Sequence, residues 1–399
     1  MTHRPVRVAV FTDNDFAKVN GVTTTLSALL RYAPSGVRPR VYTHSDIAAD
    51  EPEYLALGAP GIGIPFYREM KVYLPRFRRL CAEARRDGIE LIHLTTPGPV
   101  GFAALHAAQE LRVPLIGSYH TNLGTYLRML SGSRRLERWL RSYMRWLYAR
   151  CERVFVPSEA TGAMLVDDGI DPARIGLWVR GVDAETFSPR HRSPDLRAAW
   201  KLDGGALALA YVGRVSREKG LAMLPDVERR LCAAGVEHRW VIVGDGPYRQ
   251  ELERRLDNAV FLGTLLHADV ARPLASADVF VFPSCTDTAG NVVLEAQACG
   301  LPVLVSDRGG PRENLRPDES GLVCRGGRVE DLADAIVGLA SNPARRRAMA
   351  GAARGYALSR RWERSLAPLY DAYLNLAVRR HAGGVAPPRA NRAAAMPPS

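Results

Sequence analysis

Long apolar runs are missing from this 399-residue chain: no stretch approaches the ~20 uninterrupted apolar residues of a membrane-spanning helix, so none is expected. The opening, MTHRPVRVAVFTD, lacks the apolar segment and cleavage site of a secretory signal and runs straight into a strand, so a cytoplasmic protein is expected. Cysteine is sparse. The six residues, Cys81, Cys151, Cys232, Cys285, Cys299 and Cys324, never form a CxxC pair, which speaks against a disulfide scaffold or zinc ribbon and for reduced thiols without a metal. Acidic side chains are outnumbered, 42 against 54 Lys and Arg, for a net charge of +12. That surplus favours anionic partners, whether phosphorylated ligands, acidic lipid headgroups or nucleic acid, although an Arg-rich composition alone accounts for part of it. The rest is ordinary for a globular protein: 47% hydrophobic, 24% charged, and long enough for two domains.

The stretch from Asp278 to Gly310 organises the chain. An apolar, β-rich run from Val279 to Phe282 closes at Pro283, and a turn rich in Gly and Thr leads into a helical run, Val292 to Cys299, stopped by Gly300. A second apolar run, Pro302 to Val305, ends in Asp307-Arg308-Gly309-Gly310. Strand, loop, helix, strand, loop places both loops at the carboxyl ends of parallel strands, where open α/β sheets bind ligands. Small residues at Ala289, Gly290 and Asn291 let a backbone approach closely, and the N–H groups where the helix begins at Val292 suit a phosphate. Asp287 puts one carboxylate before the helix and Glu295 puts another on it. Two acids around an anion-binding turn make sense for a ligand with hydroxyls as well as phosphates, as in a nucleotide-sugar.

The first half alternates strands and helices. A strand, Val6 to Phe11, runs through Thr12-Asp13-Asn14-Asp15 to Asn20-Gly21-Val22 and a helix from about Thr23 to Arg31, so Gly21 sits where a tight loop could face a phosphate. Asp13-Asn14-Asp15 imitates the acidic pair that chelates a divalent metal on nucleotide-sugars. With no third ligand apparent, a solvated strand-end turn is the preferred reading. His120 lies just past the strand Pro114 to Ser118, a functional location, although a loop histidine is as readily structural. In the segment Ser133 to Arg153, Leu136, Trp139, Leu140, Tyr143 and Leu147 share one helical face, interleaved with Arg134, Arg135, Arg138, Arg141 and Arg145. Such a helix fits a membrane surface or a core-facing position with a solvated basic back.

A Pro- and charge-rich stretch reaching Pro194 marks the expected domain boundary, after which the alternation restarts. The strand Ala206 to Val212 leads to a loop in which Arg214 and Lys219 could clamp a diphosphate, Arg by its planar fork and Lys as a point charge. Gly244-Asp-Gly246-Pro247 lacks the third glycine of a dinucleotide fingerprint and reads as an ordinary turn. Helices are expected over Leu252 to Leu256, Val270 to Ala275 and Trp362 to Arg379. The tail at 381–399, rich in Ala, Pro and Arg without an acidic residue, is expected to be disordered.

Taken together, Gly213-Arg-Val with Glu-Lys-Gly220, Val243-Gly-Asp-Gly-Pro247, Phe282-Pro-Ser284, and Asp287 followed by Glu295 and Gly300-Leu-Pro302 resemble the retaining GT-B glycosyltransferases of the family 4 type. That family includes the phosphatidylinositol mannosyltransferases and the sulfoquinovosyl-diacylglycerol synthases. The likeness runs from Val6 to about Leu376, and Asn20-Gly21-Val22 and Gly117-Ser-Tyr-His120-Thr121 fit the subgroup that glycosylates lipids. It implies an α/β, GT-B architecture of two Rossmann-like domains facing each other across a cleft. Residues 1–190 would form the acceptor domain and 191–361 the nucleotide-sugar domain, with a helix at 362–380 crossing back onto the first. Arg214 and Lys219 would hold the donor diphosphate, Glu295 the ribose hydroxyls, and Asp287 the transferred sugar, helped by backbone groups from Ala289 through Gly290 and Asn291 to Val292. Gly21 would approach the diphosphate, and His120 the sugar near the reaction centre. No metal and no cofactor are implied besides the donor substrate, GDP- or UDP-linked. Two positions depart from the family pattern: Asp287 replaces the usual Glu and Ala289 the usual aromatic, which alters the sugar pocket.

The chemistry follows from the bond that breaks. Cleaving a sugar–phosphate bond leaves charge on the diphosphate, which Arg214, Lys219 and helix N–H groups can stabilise as preorganised electrostatics. No carboxylate stands out as a nucleophile of the glycosidase kind. Front-side attack with retention is therefore expected, the leaving phosphate taking the acceptor's proton. The expected activity is transfer of a mannose- or glucose-type hexose to a lipid or lipid-linked acceptor at the cytoplasmic membrane face, with peripheral contact to anionic lipid. Transfer to a soluble saccharide or small molecule is the alternative, and a non-catalytic sugar-nucleotide sensor is a third, against which Arg214, Lys219 and Glu295 argue. No nucleic-acid module is recognisable, so nucleic acid is not an expected partner.

Overall fold

The computed structural model describes residues 4–381 except 15, 17–20, 44–52, 57–60, 65–66, 74, 121, 124–127, 129–131 and 203–204. These residues form two compact units. The chain passes from unit 1 to unit 2 between Val179 and Arg180 and returns between Arg364 and Ser365. Asp15, Asn20, Thr121 and the tail beyond 381 lie outside the described residues.

Unit 1 is built on a parallel sheet of β1 (Val6–Phe11), β2 (Val37–Thr43), β3 (Tyr54–Ala56), β6 (Leu91–Leu94), β7 (Leu115–Ser118), β8 (Arg153–Val156) and β9 (Ile175–Leu177), in the order β3-β2-β1-β6-β7-β8-β9. An antiparallel pair, β4 (Gly61–Ile64) and β5 (Tyr67–Tyr73), stands apart from it. Strands β6 and β7 are buried along their whole length, as expected of apolar runs covered on both faces. Helices α1 (Gly21–Arg31), α2 (Phe77–Arg86), α3 (Pro99–Leu111), α4 (Arg134–Tyr148) and α5 (Glu159–Asp167) connect them. The strand order reverses between β1 and β6, so the loops after these two strands open the crevice where such sheets take ligands.

Asp13 lies in the first of those loops and is not a solvated turn residue. Its Oδ2 accepts from Thr96 Oγ1 (2.6 Å) and its Oδ1 from Val100 N (3.1 Å), which caps the start of α3. Burial pushes its carboxyl up to about 6 against those hydrogen bonds. Asp13 is thus spoken for by a helix terminus, which stabilises a negative charge there.

Unit 2 repeats the plan with β10 (Leu207–Val212), β11 (His238–Val243), β12 (Ala259–Gly263), β13 (Val279–Phe282), β14 (Val303–Ser306) and β15 (Gly321–Cys324), all parallel, in the order β12-β11-β10-β13-β14-β15. Its helices are α6 (Pro194–Ala199), α7 (Leu224–Ala233), α8 (Arg249–Glu253), α9 (Ala271–Ser276), α10 (Asn291–Ala298), α11 (Val329–Ser341) and α12 (Pro343–Ser359). Segment 180–200 packs on this unit. Arg192 and Arg197 bind the Asp278 carboxylate at 2.9 and 2.8 Å, and Arg354 donates to the Phe187 and Ala184 carbonyls. Here the order reverses between β10 and β13, which brings the loops after those strands together.

The last helix, α13 (Trp362–His381), runs into unit 1 from Ser365 on. There it buries Leu366, Leu369, Tyr373 and Leu376, and the Tyr370 hydroxyl donates to the Leu29 carbonyl. Tyr373 also reaches a polar residue inside the sheet. His93, in β6, hydrogen-bonds the Tyr373 hydroxyl through Nδ1 (2.5 Å) and the Ser118 hydroxyl through Nε2 (2.6 Å). Complete burial pushes His93 down to about 3, so the ring is a neutral structural link.

Candidate functional site

In unit 2 the residues singled out from sequence gather at the reversal between β10 and β13. The loop after β10 carries Arg214 and Lys219; the loop after β13 carries Asp287 and leads through Ala289 and Gly290 into α10. Gly220 permits the approach: it has φ +77°, and a Cβ there would stand 2.7 Å from the Pro283 carbonyl oxygen. Thr286 Oγ1 ties the same two loops by donating to the Glu218 carbonyl (3.3 Å).

Lys219 and Asp287 form one charged unit. The ammonium donates to Asp287 Oδ1 at 2.7 Å and Oδ2 at 3.0 Å, both side chains being about four-fifths buried (22% and 19% exposed). An ammonium has three donors, so with two engaged one remains for another oxygen. The Asp287 main chain is itself fixed, its carbonyl accepting from Gly310 N (2.9 Å). Asn314 Nδ2 holds the Ala289 carbonyl at 2.6 Å, and the Asn314 carbonyl accepts from Gln297 Nε2 at 2.5 Å. The loop is thereby preorganised by backbone contacts.

Gly290 precedes α10 in the left-handed conformation and, as the N-cap residue, has no side chain with which to cap it. Asn291 and Val292, both half-buried, start it beside Asp287. Such a helix start presents backbone N–H groups and the positive end of the helix dipole, which is a local preference for an anion. Arg214 adds cationic charge. Its carbonyl accepts from the Tyr211 hydroxyl (2.9 Å), and burial draws its guanidinium below the ordinary arginine value, against the charge of Glu218. Partly desolvated cations gain most from an anionic ligand.

Glu295, one turn into α10, is 9% exposed and accepts at Oε1 from His267 Nε2 (2.9 Å). His267 follows β12 in a short 3-10 turn, His267–Val270, and meets the Phe187 ring edge-on at 5.1 Å. Burial opposes its protonation, but the bond and charge of Glu295 and the charge of Asp183 outweigh burial and raise its pKa. Nothing in the sequence pattern singles out His267, because its partner lies 28 residues away. The turn Gly244-Asp245-Gly246 was also missed as a site element. Gly213 N donates to Val243 O (3.0 Å), Val215 N to Asp245 O (2.9 Å), and Tyr248 N to Val215 O (3.0 Å), so this turn braces the Arg214 loop.

In unit 1, Gly21 is the first residue of α1, its carbonyl accepting from Thr25 Oγ1 (2.7 Å). His120 follows β7 with 9% exposure, its ring edge-on to Trp178 at 5.6 Å. Trp178 also meets His93 at 6.0 Å and so supports both imidazoles, a role that no sequence signal marks. Among the described residues, one group could hold a metal: Cys81, His106 and Glu110, whose ligand atoms lie within 4.8 Å of one another. It sits on α2 and α3, and Arg85 already pairs with Glu110 at 3.1 Å.

Helix α4 settles into a mixed arrangement. Met144, Leu147 and Tyr148 face the core, while Trp139 stays 48% exposed. Trp139 stacks on Tyr143 (6.0 Å), Tyr143 on Trp146 (6.1 Å) and Trp146 on Phe102 of α3 (6.1 Å). Arg134, Arg135, Arg138 and Arg145 are exposed along the same helix, and Arg141 pairs with Asp168.

Two family models match the chain, one described as Glycosyl transferases group 1 over residues 206–342 and one as Glycosyltransferase Family 4 over residues 19–186. The chain is 34% identical over 340 residues to sulfoquinovosyl transferase SQD2 of Arabidopsis thaliana, covering 82% of this chain and 65% of that protein. It is 34% identical over 369 residues to a GDP-mannose-dependent alpha-mannosyltransferase of Mycobacterium tuberculosis, covering 90% of this chain and 93% of that protein. Among solved structures, sucrose-phosphate synthase of Thermosynechococcus elongatus matches with a TM-score of 0.73 at 22% identity, covering 94% of this chain and 99% of that one. That likeness shows the fold, GT-B.

Proposed function

The chain belongs to the family 4 glycosyltransferases, and from that premise we propose that it moves a mannose- or glucose-type hexose from a nucleoside-diphosphate donor to a lipid or lipid-linked acceptor, with retention of configuration. The observation that carries the donor reading is the pairing of Lys219 with Asp287 beside the start of α10. In this reading Arg214, the spare donor of Lys219 and the α10 N–H groups take the diphosphate as charge builds on it, and no metal is needed. Asp287, oriented by Lys219, accepts from the sugar hydroxyls, and Glu295 accepts from the ribose. For His120 and Gly21 the family pattern implies contacts with the sugar and the diphosphate. The acceptor hydroxyl attacks the face that the phosphate leaves and gives its proton to that phosphate. The M. tuberculosis relative's name favours GDP-mannose as the donor.

Calorimetric titration with GDP and with UDP, without metal, tests the donor reading. One nucleotide should bind the wild type, and Arg214→Ala should weaken it by roughly 10- to 100-fold through loss of a charge-assisted hydrogen bond. Failure of both nucleotides to bind overturns the reading. An inverted linkage in the product overturns retention.

The lipid acceptor draws support from α4, where a stacked aromatic ladder with an exposed tryptophan is lined by arginines. Such a surface suits the interface of an anionic bilayer, the rings at headgroup depth and the guanidinium groups on phosphates. The protein is expected to sediment with phosphatidylglycerol vesicles at low salt and to leave them at high salt. Arg135→Glu with Arg138→Glu should weaken that binding by at least ~10-fold, at about 1 kcal/mol per basic residue. Failure to sediment with either anionic or neutral phosphatidylcholine vesicles at low salt would argue for the soluble-acceptor alternative.

A further inference from the structure

We propose that His267 is a positioning residue that sets the orientation of the Glu295 carboxylate and thereby the selectivity of the nucleotide site for a ribose over a deoxyribose. The inference rests on the reading of Glu295 as the group that accepts from the ribose hydroxyls.

A glutamate on a helix has three side-chain torsions and, left alone, samples several rotamers. Glu295 is nearly buried, and a buried carboxylate is costly without partners. Among the described residues His267 supplies that partner, through Nε2 to Oε1 at 2.9 Å. One hydrogen bond of this kind leaves about three lone-pair positions on the carboxylate, enough for both hydroxyls of a vicinal diol. His267 itself is placed from outside α10. It begins the turn after β12, on the ligand-binding edge of the sheet, and Phe187 braces its ring edge-on at 5.1 Å. The charged and titratable groups that act on it are Glu295 from α10 and Asp183 from the segment preceding β10; Cys299, the residue that follows α10, lies within the field of Glu295. Both carboxylates keep the imidazole a donor, either as the cation or as the Nε2–H tautomer.

The orientation matters because a diol is a demanding ligand. Each hydroxyl must point at a carboxylate lone pair, so a carboxylate turned by one rotamer meets neither. A 2′-deoxy nucleotide removes one donor and leaves part of a buried charge unpaired. Discrimination of roughly 10- to 100-fold against the deoxy compound is expected of a well-held carboxylate. A carboxylate free to turn relaxes toward water and loses most of that ratio.

The experiment measures Kd for GDP and 2′-deoxy-GDP, and for UDP and 2′-deoxy-UDP, on the full chain as wild type, His267→Ala, His267→Gln and Glu295→Gln. The wild type should prefer the ribonucleotide by ~10-fold or more. His267→Ala should reduce that preference to within ~3-fold, and His267→Gln, whose amide can donate from a similar position, should restore most of it. In donor turnover, His267→Ala should raise KM with kcat nearly unchanged, the pattern of lost uniform binding. Retention of the full preference by His267→Ala, with Glu295→Gln having lost it, overturns the positioning role alone. Absence of a preference in the wild type, or its survival in Glu295→Gln, overturns the ribose assignment and the inference with it. If only packing against Phe187 mattered, both His267 variants would weaken the ribo and deoxy compounds equally, which also overturns the proposal.

Discussion

Lys219→Ala is expected to lower kcat/KM for the nucleotide-sugar by roughly 10³-fold, and removing Asp287 as well is expected to restore part of the lost nucleotide binding. The reasoning starts from the geometry. Lys219 donates to both oxygens of Asp287 at 2.7 and 3.0 Å in a setting that leaves each side chain about one-fifth exposed. Truncating the lysine removes a cation proposed to hold the departing diphosphate, and it also strands a carboxylate next to it. The second effect is repulsive. Deleting one partner of a desolvated pair typically costs 2–5 kcal/mol, much of it from the charge left behind. Lys219→Ala with Asp287→Ala removes that stranded charge. The double variant should therefore bind GDP or UDP more tightly than Lys219→Ala alone, by ~3- to 10-fold. Turnover should not recover, because the acceptor proposed for the sugar hydroxyls is gone as well. Steady-state kinetics and calorimetry on the four proteins close the cycle, and strict additivity of the two losses would show that the pair does not act as a unit.

Much of this architecture was legible in the sequence, and the rest was hidden for identifiable reasons. Buried runs such as Val279 to Phe282 and Val303 to Ser306 announce parallel strands because both of their faces are covered, so apolarity is continuous. The loops that follow strands then become candidate site elements, which is how Arg214, Lys219, Asp287 and the start of α10 could be named together. Two of the four edge strands carried no such signal. Tyr54–Ala56 and Gly321–Cys324 are short strands at sheet edges, and neither was expected. The helix Glu159–Asp167, capped by Ser158, was missed because its apolar face is short. The helix expected over Leu252 to Leu256 instead occupies Arg249–Glu253, where a turn of arginine–acid pairs holds it: Arg249 bonds Glu253 at 2.9 Å and Asp245 at 3.0 Å.

Polar partnerships were the least legible feature. Asp13 resembled half of a metal-binding pair, yet its carboxylate caps α3, more than eighty residues along the chain. His93 sits in a buried strand, and its partner Tyr373 is 280 residues away. His267 has the same character. Periodicity and motif spacing report local geometry, whereas these contacts exist only once strand order is known. The segment Ser133 to Arg153 shows the reverse case. Its two readings are not exclusive: the helix buries Met144, Leu147 and Tyr148 while leaving Trp139 and five arginines on the surface. An amphipathic pattern fixes which face is apolar, and it does not say how wide the covered stripe will be.

Gly244→Ala should be among the most damaging single methyl additions in unit 2, although the residue touches no proposed ligand. At φ +126° the backbone is in a region that L side chains rarely adopt, and a Cβ there would fall 2.0 Å from the Gly213 carbonyl oxygen. Backbone cannot rotate away as a side chain can. Either the turn or the Gly213 loop must move, and the two are laced together by the bonds Gly213 N to Val243 O and Val215 N to Asp245 O. A loss of about 3 kcal/mol or more is expected, which for a unit of this size lowers Tm by roughly 6–12 °C. Because the displaced segment carries Arg214, nucleotide affinity should fall with stability even well below the new Tm, by ~30-fold or more if the guanidinium is moved by about 1 Å. Gly327→Ala supplies the control. Gly327 also has positive φ, +78°, but nothing lies within 4 Å of its would-be Cβ. That variant should show the cost of backbone strain alone, about 1 kcal/mol, with nucleotide binding intact. If Gly244→Ala melted no lower than Gly327→Ala and bound nucleotide normally, the turn would be a spacer rather than the brace of the Arg214 loop.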